Sequence, residues 1–179
     1  MKNTNEIIHE FLEQTVQPDW ISVDMTTGRG HDTLALGKLS KHVYAFDIQS
    51  EAIESAKERT ADYDNITYIL DDHQNVNQYV KPYVNLVMFN LGYLPGGNKK
   101  IMTNKDSTLV SLSKVHQLLK INSYLIITAY PGHRGGDKEA QAVELWVKHQ
   151  VDKKQYEVEV HHYQSKNAPI AYIMKRINM

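Results

Sequence analysis

The stretch WISVDMTTGRGHDTLALGKLSKHVYAFDI, Trp20–Ile48, decides the architecture of this chain. Its first five residues, Trp20–Asp24, form a short apolar run that reads as a β-strand. Gly28 and Gly30 then allow a sharp turn, a helix follows from about Asp32 to Leu39, and His42–Phe46 is a second strand. Asp47 closes that strand, 17 residues beyond Gly30. Such a turn lets the backbone approach a ligand, and the following helix offers N–H groups to a polar or negative group. A carboxylate at the end of the second strand can accept hydrogen bonds from both hydroxyls of a ribose. Read blandly, the turn is a tight connection and Asp47 a capping carboxylate; the combined spacing favours the nucleotide-type reading.

The same alternation continues on both sides. A helix over Asn5–Val16 would bury Ile7, Ile8, Phe11, Leu12 and Val16, and Pro18 ends it. Ser50 can cap a helix running to about Thr60, with Ile53 and Ala56 facing inward. Ile66–Leu70 reads as a third strand, and a helix begins near Gln74. Val84–Phe89 is the most continuously apolar strand, as a central one covered on both faces should be. A loop broken by Gly92, Pro95, Gly96 and Gly97 runs to about Asn104. Leu109, Leu112, Val115 and Leu119 then make a helical stripe, Tyr124–Ala129 a fifth strand, and Lys138–Gln150 a helix with Ala142, Leu145 and Trp146 as apolar contacts. Tyr156–Tyr163, which alternates as an edge strand would, and Ala168–Arg176 complete seven strands. The expectation is a single α/β domain over residues 1–179, its mostly parallel seven-stranded sheet covered by helices on both faces.

Composition narrows the classes. Cysteine is absent, which excludes disulfides, thiolate metal sites and cysteine nucleophiles. No segment approaches the ~20 apolar residues of a membrane span. The first residues carry charges where a signal peptide would be apolar, so a cytoplasmic location without membrane attachment is expected. The net charge of −1 conceals polarity along the chain: residues 1–89 hold 14 acidic and 7 basic side chains, residues 90–179 hold 7 and 13. That asymmetry either sets positive potential beside a cleft or is a solvated lysine-rich surface. His9, His42, His73, His116, His149, His161 and His162 are scattered, so no metal site is expected. No Gly-x-Ser-x-Gly elbow is present for a hydrolase.

The ligand can be narrowed further. A dinucleotide fingerprint needs a third glycine where Thr33 stands, and Asp24 ahead of the turn would repel a pyrophosphate. A cofactor with a cationic amino-acid end and no phosphates suits the turn better. On these residues, 20–91 resemble the class I S-adenosylmethionine-dependent methyltransferases, whose Rossmann-like domain starts with an acidic residue and a glycine-rich turn. The resemblance implies S-adenosylmethionine as cofactor, with Asp24, Thr26, Gly28 and Gly30 around its methionine part. It implies Asp47 on the ribose and Ile48 near the adenine. Asp71, Asp72 and His73 stand where a polar residue contacts the adenine amino group; Asp72 and His73 are the candidates, although the two carboxylates equally suit a helix cap. His31 and Asp32 either position the cofactor or start their helix.

The fourth strand opens into Asn90-Leu91-Gly92-Tyr93, at the edge where open α/β sheets place ligands. Methyltransferases acting on nitrogen often carry Asn/Asp-Pro-Pro-aromatic there, and Asn90 and Tyr93 keep its polar-to-aromatic spacing while Leu91 and Gly92 replace the prolines. The resemblance implies that Asn90 accepts a hydrogen bond from the attacking nitrogen beside the cofactor and that Tyr93 packs on the substrate. Structural roles, closing the strand and covering the core, are the competing reading. An ammonium must lose a proton before attack. His31, Asp32, His133 and Asp137 are the ionisable candidates, with His133 favoured as the base and turn stabilisation or phosphate contact as its alternative. Arg29 and Arg134 suit a phosphate, the cofactor carboxylate or plain exposure.

VDMTTGRGHDTLAL at Val23–Leu36, FNLGYLPGG at Phe89–Gly97 and YPGHRGGDKEA at Tyr130–Ala140 resemble, more narrowly, a small bacterial group of rRNA-methylase-like proteins. That resemblance implies a tRNA methyltransferase converting wobble 5-aminomethyl-2-thiouridine to its methylaminomethyl form. Its partner would be the tRNA anticodon stem-loop, with rRNA and small amines as competing substrates. A non-catalytic cofactor-sensing or RNA-binding protein is the reading from another class. Tyr93, Tyr130 and Tyr163 offer stacking rings, and Lys99, Lys100, Lys105, Arg134, Lys138 and Lys166 offer charge. A homodimer would widen that positive face.

Overall fold

The most apolar segment of the chain lies at the middle of the sheet. In the computed structural model, which describes every residue except Tyr93 and Pro95, β4 (Val84–Asn90) pairs with β1 (Ile21–Asp24) on one side and β5 (Leu119–Ala129) on the other, both parallel. From β1 the sheet continues outward through β2 (His42–Asp47) to β3 (Ile66–Leu70). From β5 it continues through β7 (Ile170–Arg176) to β6 (Tyr156–His162), and β7 is antiparallel to both its neighbours. The full order is β3-β2-β1-β4-β5-β7-β6. Strand order therefore reverses between β1 and β4, which opens a crevice beyond their carboxyl ends. Antiparallel β7 brings the β6–β7 turn to the same sheet edge, because Ile170 pairs with Ala129 at the end of β5.

Helices cover both faces. On one, Ile8, Leu12 and Val16 of α1 (Thr4–Thr15) and its C-cap join Leu36 of α2 (His31–Leu39) over Leu86, Met88 and Ile126. Also flanking the sheet, α3 (Ser50–Arg59) buries Ala52, Ile53 and Ala56. The other face carries α4 (Val76–Tyr79), entered through a 3-10 turn at His73–Asn75, with α5 (Lys105–Leu118) and α6 (Gly136–Asp152). There Val76, Leu112, Val115, Val143 and Val147 pack on Val87, Phe89 and Ile127. The sheet expected from the sequence is present with its helices on both faces.

Several boundaries differ for identifiable reasons. Helix α1 begins at Thr4 because Asn3 and Glu6 form a reciprocal capping box: Glu6 N–H donates to Asn3 Oδ1 at 2.9 Å and Asn3 N–H to Glu6 Oε2 at 2.7 Å. Ser50 is the first helical residue of α3 rather than its cap, and Gln49 occupies the cap position without a side-chain bond. Strand β5 starts at Leu119, which the sequence reading placed on the α5 stripe, and its exposed Lys120, Ile121 and Asn122 hid the early pairing. Leu145 is 68% exposed, because the inward stripe of α6 runs through Ala140, Val143 and Val147 instead.

Leu86 is fully buried in the central strand, where truncation leaves a hole between β4 and helices α1 and α2. Leu86→Ala is expected to lower the unfolding free energy by about 2–5 kcal/mol. Urea titration checks this, with a shifted midpoint and an unchanged slope as the expected result.

Candidate active site

The crevice at the strand-order reversal is a cleft of about 1000 Å³. Its walls come from the turn after β1, the end of β2, the segment after β3, the loops after β4 and β5, and the N-terminal half of α1.

The glycine turn is held by three local constraints. Gly28 N–H donates to Asp47 Oδ2 at 2.9 Å, tying the turn to the end of β2. Gly30 has φ of +85°, and a Cβ there would stand 2.7 Å from Ala56 Cα, so only glycine lets α3 pack against the turn. Asp24 receives Thr26 N–H on Oδ1 at 3.1 Å and the Thr33 hydroxyl on Oδ2 at 2.7 Å.

These bonds enclose Asp24. The sequence reading set it against the cationic end of the cofactor, yet its carboxylate is buried beneath the turn and does not line the cleft. Burial first, then the negative charge of Asp32, pushes its pKa up to about 7, while Thr33 and Thr26 oppose the rise. Asp32 is the carboxylate that faces the cleft from the first turn of α2. Its Oδ1 meets His9 Nε2 at 2.7 Å, and its Oδ2 accepts from Asn90 Nδ2 at 3.3 Å. His31, at the start of the same helix, is exposed on the cleft wall; partial burial, with a smaller contribution from the Arg59 charge, lowers its pKa.

Thr26, Gly28, Asp47, Ile48, Asp72, His73 and Asn90 all line the cleft, whereas Gly30 shapes it from behind. Asp47 is raised in pKa by burial, against the stabilising N–H groups of Gln49 and Gly28. Ile48 is 53% exposed, an apolar side chain at the mouth available for a flat ring. Asp72 caps the 3-10 turn by accepting from Gln74 N–H at 2.9 Å. His73 is buried against Phe89 and bonded to the Ser111 hydroxyl, and burial depresses its pKa. The Thr27 hydroxyl, buried in the cleft wall, has no hydrogen-bond partner among the described residues and suits a polar group of a bound molecule. The donor set therefore fits a nucleoside with an amino-acid tail.

At the other end of the cleft, Asn90 N–H donates to Thr26 Oγ1 at 2.7 Å, which joins the end of β4 to the glycine turn. Tyr130 and His133 of the post-β5 loop line the cleft beside it; Tyr93 lies outside the described residues. Burial, and then the Asp32 charge, raises the Tyr130 pKa, while the Asn90 amide opposes that shift. His133 Nδ1 donates to the Arg134 carbonyl at 3.1 Å, so a neutral ring carries its lone pair on Nε2, which lies between Gly92 and Gly136. Asp137, the remaining candidate base, is exposed in the first turn of α6 and does not line the cleft.

Sequence reasoning missed a clamp behind this loop. Gly92 N–H donates to Thr103 Oγ1 and Thr103 N–H returns to Gly92 O, both at 2.8 Å. Thr103 Oγ1 donates in turn to Glu139 Oε1 at 2.9 Å, and Thr108 Oγ1 to Glu139 Oε2 at 3.0 Å. Burial raises the Glu139 pKa, and the two hydroxyls oppose it most. Nothing local in Thr103 or Glu139 announces this pairing across 36 residues. His9 was also missed as a site residue, since it approaches Asp32 only through the packing of α1 on α2. Among the described residues no group of His, Asp or Glu is arranged as a metal site, and no helix is long and apolar enough to cross a membrane.

A Rossmann-like sheet with this reversal point, a glycine turn tied to an acidic β2 terminus and a polar residue ending β4 defines a class I methyltransferase. The family model called "Putative rRNA methylase" matches residues 43–175, and the chain belongs to that family. A Clostridium thermocellum crystal structure named for the same family superposes with a TM-score of 0.92, at 33% identity over 99% of both chains. A Streptococcus mutans structure named as a methyltransferase and solved in complex with SAH gives a TM-score of 0.88, at 34% identity over 99% of both chains. S-adenosylmethionine is accordingly the cofactor.

Among curated relatives, the Arabidopsis thaliana chloroplastic "tRNA (mnm(5)s(2)U34)-methyltransferase" is 36% identical over 161 residues, covering 81% of this chain and 59% of that protein. The Acholeplasma laidlawii (strain PG-8A) "Ribosomal RNA small subunit methyltransferase H 1" is 31% identical over 160 residues, covering 78% of this chain and 52% of that protein. The chain thus spans between half and three-fifths of the length of these relatives.

A buried carboxylate whose pKa is raised to about 7 should link cofactor binding to protons. Entry of a cation lowers the Asp24 pKa from about 7, so protons are released on binding near neutral pH. Calorimetry of S-adenosylmethionine binding at pH 7 in buffers of different ionisation enthalpy should show this release. Asp24→Asn should abolish it, and an equal release from that variant would assign the linkage elsewhere.

Proposed function

We propose that the protein transfers a methyl group to an exocyclic amine of RNA, the aminomethyl group of a wobble 5-aminomethyl-2-thiouridine in tRNA. The observation that carries this reading is the placement of Asn90 at the floor of the cleft. One side of it holds the nucleoside-type donor set, and the other opens toward a rim with exposed basic side chains. Lys99 lines that rim, and Lys100, Arg134 and Lys166 on loops, with Lys105 and Lys138 in the first turns of α5 and α6, are exposed at the same sheet edge. Asp106 and Asp137 interrupt the positive charge there without balancing it. The printed name of the Arabidopsis thaliana relative, which specifies U34 of tRNA, supports tRNA as the RNA, and the anticodon stem-loop is the element proposed to present the base.

Bound S-adenosylmethionine supplies an activated methyl on a sulfonium, so the chain's contribution is alignment and proton removal. Asp47 is placed to accept the ribose hydroxyls, with Ile48, Asp72 and His73 around the base, and Asp32 is the carboxylate open to a cationic group. The Asn90 amide oxygen accepts an N–H of the incoming amine and points the nitrogen lone pair at the methyl carbon. His133 Nε2 is the proposed acceptor of the proton that the ammonium must lose first. The cofactor's sulfonium would supply the methyl, its C–S electron pair staying on sulfur, to the nitrogen lone pair that Asn90 aims and His133 has freed of its proton. The product ammonium releases its extra proton on leaving.

The family description and the Acholeplasma laidlawii relative favour rRNA as the second reading. Incubation with labelled cofactor and tRNA lacking only the final wobble methyl separates the two. Transfer to that tRNA is expected; transfer to rRNA alone would replace the proposal. In the same assay Asn90→Ala should lower kcat about a hundredfold while the Kd for SAH changes less than about threefold.

A further inference from the structure

Helix α1 belongs to the reaction centre as well as to the core. From its middle turn His9 reaches the cleft wall, and its Nε2 meets Asp32 Oδ1 at 2.7 Å. The other carboxylate oxygen accepts from Asn90 Nδ2 at 3.3 Å. The three side chains form a chain from α1 through α2 to the end of β4, joining residues 23 and 58 positions apart.

The polarity of this chain matters. The two ends of a carboxamide have nearly the same shape but opposite hydrogen-bonding roles. An ionised carboxylate only accepts, so Asp32 can face only the NH2 end of Asn90. With that end held, the amide oxygen is directed to the remaining side, where an attacking amine needs an acceptor. A carboxylate bonded through one oxygen alone can swing about its terminal torsion, which is broad and roughly two-fold. A grip on Oδ1 stops that rotation.

We infer that His9 is a positioning residue for methyl transfer, which by gripping Asp32 fixes the Asn90 amide with its oxygen toward the attacking nitrogen. This rests on the proposed role of Asn90 and adds to it the residues that orient the amide. His9 touches no reacting atom. Its charged surroundings are Asp32 and His31 on α2, Glu13 and Glu6 on its own helix, and Lys2 with Glu10 in the same surface hollow. The Asp32 hydrogen bond, more than the charges of Asp32 and Glu13, raises the His9 pKa against burial. The imidazolium–carboxylate form is therefore complete at low pH and is lost as pH rises through that raised value. Above it, a neutral Nε2–H still donates, more weakly.

The test compares wild type, His9→Ala and His9→Gln in complex with SAH by side-chain amide 1H–15N spectra from pH 6 to 9, alongside kcat on methyl-accepting RNA. The wild-type Asn90 NH2 resonance should shift in step with the His9 titration, and that step should be absent from both variants. His9→Ala should lower kcat about tenfold with SAH affinity within about threefold of wild type. His9→Gln, whose amide can still donate to Asp32, should recover most of the loss without the pH step. An Asn90 resonance indifferent to His9, with unchanged kcat in His9→Ala, would overturn the inference. If wild type methylates neither tRNA nor rRNA while Asn90 still tracks His9, the substrate reading fails and the positioning role stands.

Discussion

The hydrogen bond from Gly28 N–H to Asp47 Oδ2 is the constraint on which the site depends. It fastens the loop leaving β1 to the carboxylate that ends β2, so one interaction shapes the turn and aims the acid. Gln49 N–H holds the other carboxylate oxygen at 3.0 Å, and Thr27 N–H bonds the Phe46 carbonyl at 2.9 Å, so turn and acid are fixed from both sides. The rest of the turn is fitted around that bond. Gly30 admits α3 at a distance no side chain would allow, and Asp24 holds Thr26 and Thr33 from below. Thr26 then passes the constraint on by accepting from Asn90 N–H. The ends of β1, β2 and β4 are thereby fixed relative to one another at the point where the strand order reverses.

Charge in this region is arranged in depth. Asp24 lies buried with its pKa raised to about 7, Asp47 is partly buried under its N–H donors, and Asp32 faces the cleft paired with His9. Three carboxylates could not share so small a volume fully ionised without repulsion. Burial drives the innermost toward its neutral form, and the outermost is hydrogen-bonded by His9 of α1. What remains exposed is a limited negative potential suited to a cationic ligand, opposite a rim of lysines and an arginine. The family match and the SAH-bound Streptococcus mutans structure bear on the cofactor, and the RNA-facing rim belongs to the proposed function.

Much of this was legible in the sequence because the fold is written in local patterns. The alternation of apolar runs and helical stripes gave seven strands, and Trp20–Ile48 alone carried the strand–turn–helix–strand logic. The acid at 47 and the Asn at 90 were readable because strand ends locate ligands in open α/β sheets. Depth was not readable. Asp24 and Asp32 look equivalent in sequence, and only packing shows that one is enclosed and the other open. Nor were the Thr103–Glu139 clamp and the His9–Asp32 pair accessible, since each joins distant segments through side chains of ordinary type. The α1 cap is different: Asn3 and Glu6 carried a readable capping-box spacing, which the apolar stripe from Ile7 onward overshadowed.

The central claim is that the cleft brings the cofactor methyl to a wobble aminomethyl nitrogen held by Asn90. Mass analysis of tRNA nucleosides from cells with and without this gene tests it most directly. The account predicts that 5-aminomethyl-2-thiouridine accumulates and its methylaminomethyl form disappears in the absence of the gene, with restoration by wild type and not by Asn90→Ala. An unchanged wobble nucleoside profile, with a methyl lost from rRNA instead, would contradict it.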